Sequence, residues 1–389
     1  MNPFDSNSIP RIIFGRGKFS QIGPLTKNLL TKKLGSSALV IHNGKEGETL
    51  DRLRSSLADV GVQCTFVRQR GEPQVSHIDA AVAIGREEKC DVLIGLGGGS
   101  AIDAAKAVAG LLTNGGVATD YMEVVGKGQK ISRAAMPWIA VPTTAGTGAE
   151  ATRNAVIGLP EKQFKASIRS ELLLPRIALV DPELGLDVPP DVTARSGMDA
   201  LCQCIESYTS TNAGPETDSF ALQGIGLAAI ALPRAFKDGH DIDARSDMAL
   251  AALLSGITLT RVGLGAVHGF AAPLGAMLPI PHGTICAALL SPVLAANIAA
   301  LRGESSDHPT IARYGRVAHA LCGQDGPEHC VTFTADLASR LRIPRLGQFG
   351  FTESHIAPLV ALAKNASSMR FNPVKLTDEA LANVLRSAM

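Results

Sequence analysis

Aromatic residues are scarce in this chain. They make up 4% of 389 residues, with a single tryptophan, so its cores must be built from aliphatic and small side chains. Net charge is nearly absent as well. A formal +1 gives no electrostatic basis for binding nucleic acid or an anionic membrane surface. The seven cysteines are odd in number and follow no framework spacing. That excludes a disulfide scaffold and points to a reducing, cytoplasmic compartment. The first residues lack a basic stretch followed by an apolar one, and no apolar run of 18 or more residues reads as a membrane span. There is no internal repeat, low-complexity tract or charge run.

What is present is the composition of a globular enzyme: 46% apolar and 19% charged residues. The length suits about two domains. In the first half, short aliphatic runs at 38–41, 64–67, 92–94, 138–141 and 177–180 read as strands. Helical patterns lie between them: Leu50, Leu53 and Leu57, then Ile78, Ala81, Val82 and Ile84, then an Ala-rich stretch from 101 to 112. Strands separated by helices imply crossovers and a parallel sheet. After Asp181-Pro182 the strand signals fade, and Ala/Leu-rich helical segments run to the end. The expectation is an α/β nucleotide-binding domain over 1–185 and an all-helical domain over 186–389. Pro182, Pro189 and Pro190 mark the boundary.

Two Gly-rich segments follow predicted strands. Gly95-Leu96-Gly97-Gly98-Gly99-Ser100 opens the Ala-rich helix. Its glycines would let the backbone approach a phosphate, with the free N–H groups of a helix start behind them. Pro142-Thr143-Thr144-Ala145-Gly146-Thr147-Gly148-Ala149-Glu150 follows the fourth strand. Loops at the carboxyl ends of parallel strands converge on the ligand crevice, so the pair suggests a nucleotide site. A tight strand-to-helix turn without a ligand would use the same residues. In the second half, Asp199 and Gln203 are spaced to share one helix face, and His268 and His282 come from later segments. One carboxylate with two imidazoles suits Fe²⁺ or Zn²⁺. Taken singly, each histidine is more often a hydrogen-bonded packing residue than a ligand.

Over nearly its whole length the sequence resembles the iron-containing (group III) alcohol dehydrogenase family. The resemblance rests on Ile13-Phe14-Gly15-Arg16-Gly17, on Gly97-Gly98-Gly99-Ser100 with Asp103 and Lys106, on the 142–150 segment and on Val180-Asp181-Pro182-Glu183-Leu184. It continues through Gly197-Met198-Asp199-Ala200-Leu201, the segment 263–269 with His268, and Pro281-His282-Gly283. It implies the two-domain fold above, with the active site in the interdomain cleft. It also implies an NAD(P)-dependent oxidoreductase that interconverts a small alcohol and its aldehyde or ketone, typically as a homodimer or larger homo-oligomer.

Position by position, the resemblance places Gly98, Gly99 and Ser100 at the pyrophosphate, with Gly97 and Asp103 also among the cofactor-binding residues, and Thr143, Thr144 and Thr147 along the nicotinamide and phosphates. Lys165 would approach the nicotinamide ribose. Asp199, His268 and His282 match three metal ligands. The fourth is usually a histidine, and here it is Gln203, a weaker ligand. A divalent metal, iron or zinc, is therefore expected to be held weakly, with Cys202 as a thiolate substitute or no metal at all. The family's histidine four residues after the His268 position is Ala272. Arg261 stands where a small polar residue is usual. It would either polarise the carbonyl and favour an anionic substrate or form a salt bridge. Asn43 stands where an aspartate commonly binds the ribose, and with Lys45 nearby it would admit NADP.

Two alternatives stay open at this level. One is a reductase of an anionic carbonyl compound that works without tightly bound metal. The other is a non-catalytic nucleotide-binding protein. A dehydroquinate-synthase-like lyase is disfavoured by the apolar segment 270–274.

Overall fold

The computed structural model describes residues 9–31, 36–44, 47–162 and 164–389. It divides into two compact units. The first comprises Met1–Thr144 and Ala149–Gly185, and the second Ala145–Gly148 and Leu186–Met389.

Among its described residues, the first unit has eight strands: β1 (Arg11–Phe14), β2 (Ser37–His42), β3 (Gln63–Arg68), β4 (Val92–Gly97), β5 (Trp138–Pro142), β6 (Asn154–Leu159), β7 (Phe164–Arg169) and β8 (Ile177–Val180). Six form one sheet in the order β1-β8-β5-β4-β2-β3, and all its pairings are parallel. Strands buried on both faces read as continuous aliphatic runs, which is how β2, β4 and β8 read in the sequence. The sheet's two faces feed separate cores. Leu39, Ile41 and Leu93 point into one, while Ala38, Val40, Val92 and Ile94 point into the other, as period-two alternation requires.

The sequence reading missed two features of this unit. Strand β1 is a four-residue edge strand with its first residue exposed, too short to give a pattern. β6 and β7 form a separate antiparallel pair, in which polar Asn154, Lys165, Ser167 and Arg169 dilute the apolar signal.

In the second unit, all the described regular elements are helices. Helices Pro190–Thr209, Pro215–Lys237 and Pro309–Cys322 each begin on a proline. That position tolerates proline because its N–H has no intrahelical partner. With Ile242–Val262, Ala266–Met277 and His282–Glu304 they share one aliphatic core that includes Leu201, Ile205, Leu232, Phe270, Leu289 and Leu290. By length and hydropathy, Pro215–Lys237 and His282–Glu304 are long and apolar enough to cross a membrane, which the sequence reading did not anticipate. Much of their apolar surface lies inside the unit instead, including Ala221, Ile225, Leu232, Ile285, Leu289 and Leu294.

Candidate active site

The winding of the first unit fixes where a ligand can sit. The chain passes from β2 to β3 on one side, then returns to place β4 and β5 on the other side of β2. This reversal opens a crevice at the carboxyl ends of β2 and β4, the position where open α/β sheets bind nucleotides. Asn43 follows β2, and Gly97 ends β4. They touch: the Gly98 N–H donates to Asn43 Oδ1 at 3.3 Å. Gly97 has φ of +149°, and a side chain there would collide with Asn43, so only glycine fits.

Beyond it, the Gly99–Asn114 helix starts with no side-chain cap. Its first N–H groups are left to an anion, and the helix dipole favours one. Thr143 continues β5 and donates its N–H to Gly97 O at 2.9 Å. A side chain at Gly98 would meet Thr144 Oγ1 at 3.0 Å. The segment Gly97–Ser100, Asn43, Thr143 and Thr144 is thus one bare-backbone cradle that fits a pyrophosphate.

Three further expected cofactor residues hold contacts within the protein. Thr147 belongs to the second unit. Its loop lies against the Ile242–Val262 helix, where side chains at Gly148 (φ +58°) or Gly256 would strike each other's backbone. Asp103 faces inward: its Oδ2 accepts the Val156 N–H at 3.1 Å, and Lys106 lies 3.4 Å from Oδ1. Lys165 lies on β7 in an ion pair with Glu72. Lys45 falls outside the described residues.

In the second unit, Asp199, His268 and His282 do come together. Asp199 Oδ1 lies 3.2 Å from His268 Nε2 and 3.7 Å from His282 Nε2. A fourth group joins them that sequence reasoning missed. Cys286 Sγ is 3.7 Å from His268 Nε2 and 3.6 Å from His282 Nε2. All four donor atoms lie within 4.8 Å of one another. Asp199, His268 and Cys286 are buried. The signal was legible in principle, since Cys286 is four residues after His282 and so shares its helix face.

The other side of His268 is also built. Nδ1 lies 2.6 Å from Glu206 Oε2, and Glu206 Oε1 accepts the Val267 N–H at 2.7 Å. A carboxylate on one ring nitrogen fixes the tautomer and presents the other as a lone pair, as in carboxylate–histidine–metal triads. Cys202 lies on this Nδ1 side, 4.0 Å away. Gln203 turns its carbonyl oxygen to Ser255 Oγ at 2.8 Å. Arg261, at the end of its helix, pairs with Glu216 at 3.4 Å.

The electrostatics show what the group lacks. Burial pushes the Asp199 carboxyl up, but His282 and His268 beside it hold it below the usual range. Burial opposes charge on His282, yet Cys286 and Asp199 carry it up to about 9. Inward-facing lone pairs that draw protons this strongly fit a divalent cation, which would displace those protons.

Two family models match in succession: Iron-containing alcohol dehydrogenase over residues 10–182, and the Fe-containing alcohol dehydrogenase family, C-terminal, over 193–389. The chain belongs to the iron-containing alcohol dehydrogenase family. It is 34% identical to alcohol dehydrogenase 4 of Saccharomyces cerevisiae, with 97% of each chain covered. It is 33% identical to choline dehydrogenase of Bacillus subtilis, over 98% of this chain and 94% of that one. A solved 1,3-propanediol oxidoreductase superposes with a TM-score of 0.89 at 29% identity, covering 98% of both chains. The resemblance read from the motifs is borne out, as is the α/β-then-helical fold. As a member, the protein is an NAD(P)-dependent oxidoreductase that interconverts an alcohol and its carbonyl product.

Proposed function

We propose that the substrate is a small alcohol or aldehyde and that the reaction uses a divalent metal, iron or zinc, held by Asp199, His268 and His282. The observation that carries this is the convergence of their donor atoms, with Glu206 fixing the far side of His268. Such a metal, when bound, supplies Lewis-acid polarisation of the substrate oxygen. The chain's own residues do the rest. Glu206 holds His268 in the tautomer that leaves Nε2 free for the metal. The bare backbone of Gly97, Gly98 and Gly99, with Ser100, Thr143 and Thr144, binds the dinucleotide phosphates and fixes the nicotinamide end. Asp103 supports that loop through Lys106 and β6. Lys165 serves the ribose on exchanging its Glu72 contact for cofactor.

Arg261 is already opposed by the Glu216 carboxylate. That contact lends no weight to the anionic-substrate alternative, and the family match disfavours a non-catalytic binder. The domain division at 185/186, a reducing cytoplasmic location and a homodimer or larger homo-oligomer belong to the same proposal. Seven free cysteines support the location. Likeness to the family is the sole ground for the assembly, and light scattering checks it.

The test is hydride transfer from NADH and from NADPH to a panel of short aldehydes. Turnover with at least one aldehyde is expected, with NADPH at least comparable to NADH because Asn43 carries no charge. Asn43→Asp keeps the acceptor for Gly98 and adds a charge, and it should move preference toward NADH by about 1–3 kcal/mol. Absence of turnover across the panel with either cofactor would contradict the reading.

A further inference from the structure

We propose that Cys286 is a metal ligand and completes a four-ligand Asp199–His268–His282–Cys286 site, with Gln203 outside it. The inference rests on the proposed metal at Asp199, His268 and His282. It goes beyond that reading by assigning the fourth donor and the character of the set.

The geometry is that of a tetrahedron without its centre. Ordinary Zn–N, Zn–O and Zn–S bond lengths make the edges of a tetrahedral site about 3.3 Å between N and O and about 3.6 Å between N and S. Four of the six edges are 3.2 and 3.7 Å from Asp199 Oδ1 to the two imidazoles, and 3.7 and 3.6 Å from Cys286 Sγ to the same nitrogens, and the remaining two lie within 4.8 Å. The helix supplies the placement. His282 is the first residue of His282–Glu304, and Cys286 follows one turn later on the same face.

Two other buried cysteines, both on the Pro190–Thr209 helix, are placed differently. Cys204 is equally buried but faces the carbonyl of Ala251 at 3.9 Å and packs where a Gly224 side chain would sit. Cys202 lies behind the His268 ring and within hydrogen-bond contact of Cys286, where its thiol can donate to a coordinated sulfur. Of the three, Cys286 alone joins the group that shares one centre with Asp199 and both histidines. Gln203, four residues after Asp199, has its oxygen occupied by Ser255. This placement removes the premise on which a weak site was expected.

Two consequences follow from the chemistry of the donors. A thiolate softens the set and shifts preference toward zinc over iron. Two anionic ligands also make the centre with a divalent ion neutral, so a metal held there would take the substrate oxygen as a fifth ligand and act on it as a milder Lewis acid than one held by a single carboxylate.

The test is cobalt(II) titration of chelator-stripped, full-length protein, read by absorption rather than by turnover. One equivalent of cobalt should give tetrahedral visible bands and a sulfur-to-cobalt charge-transfer band in the near ultraviolet. Cys286→Ala should abolish the near-ultraviolet band and weaken cobalt and zinc binding by roughly a hundredfold or more. Cys286→Ser, which keeps the shape, should do the same to the band if the alanine variant fails to fold. Cys202→Ala should keep the band, and Gln203→Ala should keep both band and affinity. Cobalt bound without a sulfur band in the unsubstituted protein would overturn the assignment while leaving the metal reading intact. So would a band that survives in Cys286→Ser or disappears in Cys202→Ala, and so would a Gln203→Ala variant that loses affinity. Failure to bind cobalt at all would overturn both.

Discussion

Each unit of this protein buries a cluster of ionisable groups, and the two clusters differ in one decisive way. In the first unit the Lys106 ammonium, fully buried, lies 2.9 Å from Ala149 O, 2.8 Å from Thr152 Oγ1 and 2.7 Å from Asn154 O, with Asp103 at 3.4 Å. The three ammonium hydrogens are shared among these four oxygens, and the centre of the cluster is already a cation. In the second unit Asp199, His268, His282 and Cys286 all turn lone pairs toward one point. There the cation must come from outside, as protons or as a metal. A buried network that satisfies itself is a structural fastener, here joining the Gly99–Asn114 helix to β6. One that converges on acceptors is a binding site. Sequence motifs mark both equally, because both sit in segments shared with the family.

The comparison breaks most visibly at Lys106. Lys106→Met should destabilise the protein by about 3–5 kcal/mol, since it strands Asp103 and three oxygen acceptors in the interior. Urea unfolding reads this, and metal content per folded chain should not change. A loss below about 1 kcal/mol would show that the network is not the fastener described.

The next effect is a pH dependence in the same cluster. Burial raises the Glu150 carboxyl from 4.5 to about 7, against the pull of its own backbone N–H and of Lys106. The native state therefore holds the proton more tightly than the unfolded chain. The stability tied to that proton is complete below about pH 4.5 and is lost as pH rises through 7. Glu150→Gln should remove that loss and stabilise the protein above pH 7 by about 2–3 kcal/mol, with little change at pH 4.5. Stability measured at both pH values checks this. An unchanged pH slope would place the ionised carboxylate in a better environment than the burial implies.

On the other side of the comparison, Glu206→Gln keeps the shape but removes the charge behind His268. Metal affinity should fall by roughly 10- to 100-fold, with global stability moved less than by Lys106→Met. Competition with a chromophoric chelator measures it. Unchanged affinity would mean that His268 does not rely on Glu206 for its tautomer.

Much of this was legible in the sequence. The parallel sheet followed from aliphatic runs alternating with helical faces, and the phosphate cradle from glycines placed between β4 and the Ala-rich helix. The convergence of Asp199, His268 and His282 could be expected from donor chemistry. What escaped has physical reasons. Strand β1 and the β6–β7 pair are short and partly polar, so period-two alternation never builds up. The apolar length of Pro215–Lys237 and His282–Glu304 answers to a helical core and mimics the signal of a membrane span. Cys286 sits one turn after His282 in a long, mostly apolar helix, where the spacing alone does not set it apart from the core residues around it. A cysteine inside an apolar helix also looks like any small core residue. Pairings such as Lys165 with Glu72 and Arg261 with Glu216 depend on which elements meet, and single-sequence patterns do not carry that information.

The most direct test of the account is metal content measured together with activity on the same purified protein. Elemental analysis after dialysis should find one divalent metal per chain. Stripping with chelator should abolish aldehyde reduction, adding back zinc or iron should restore it, and Asp199→Ala should be inactive and metal-free. A protein that keeps full activity after its metal is removed would contradict the claim that the convergent group in the helical unit is the catalytic centre.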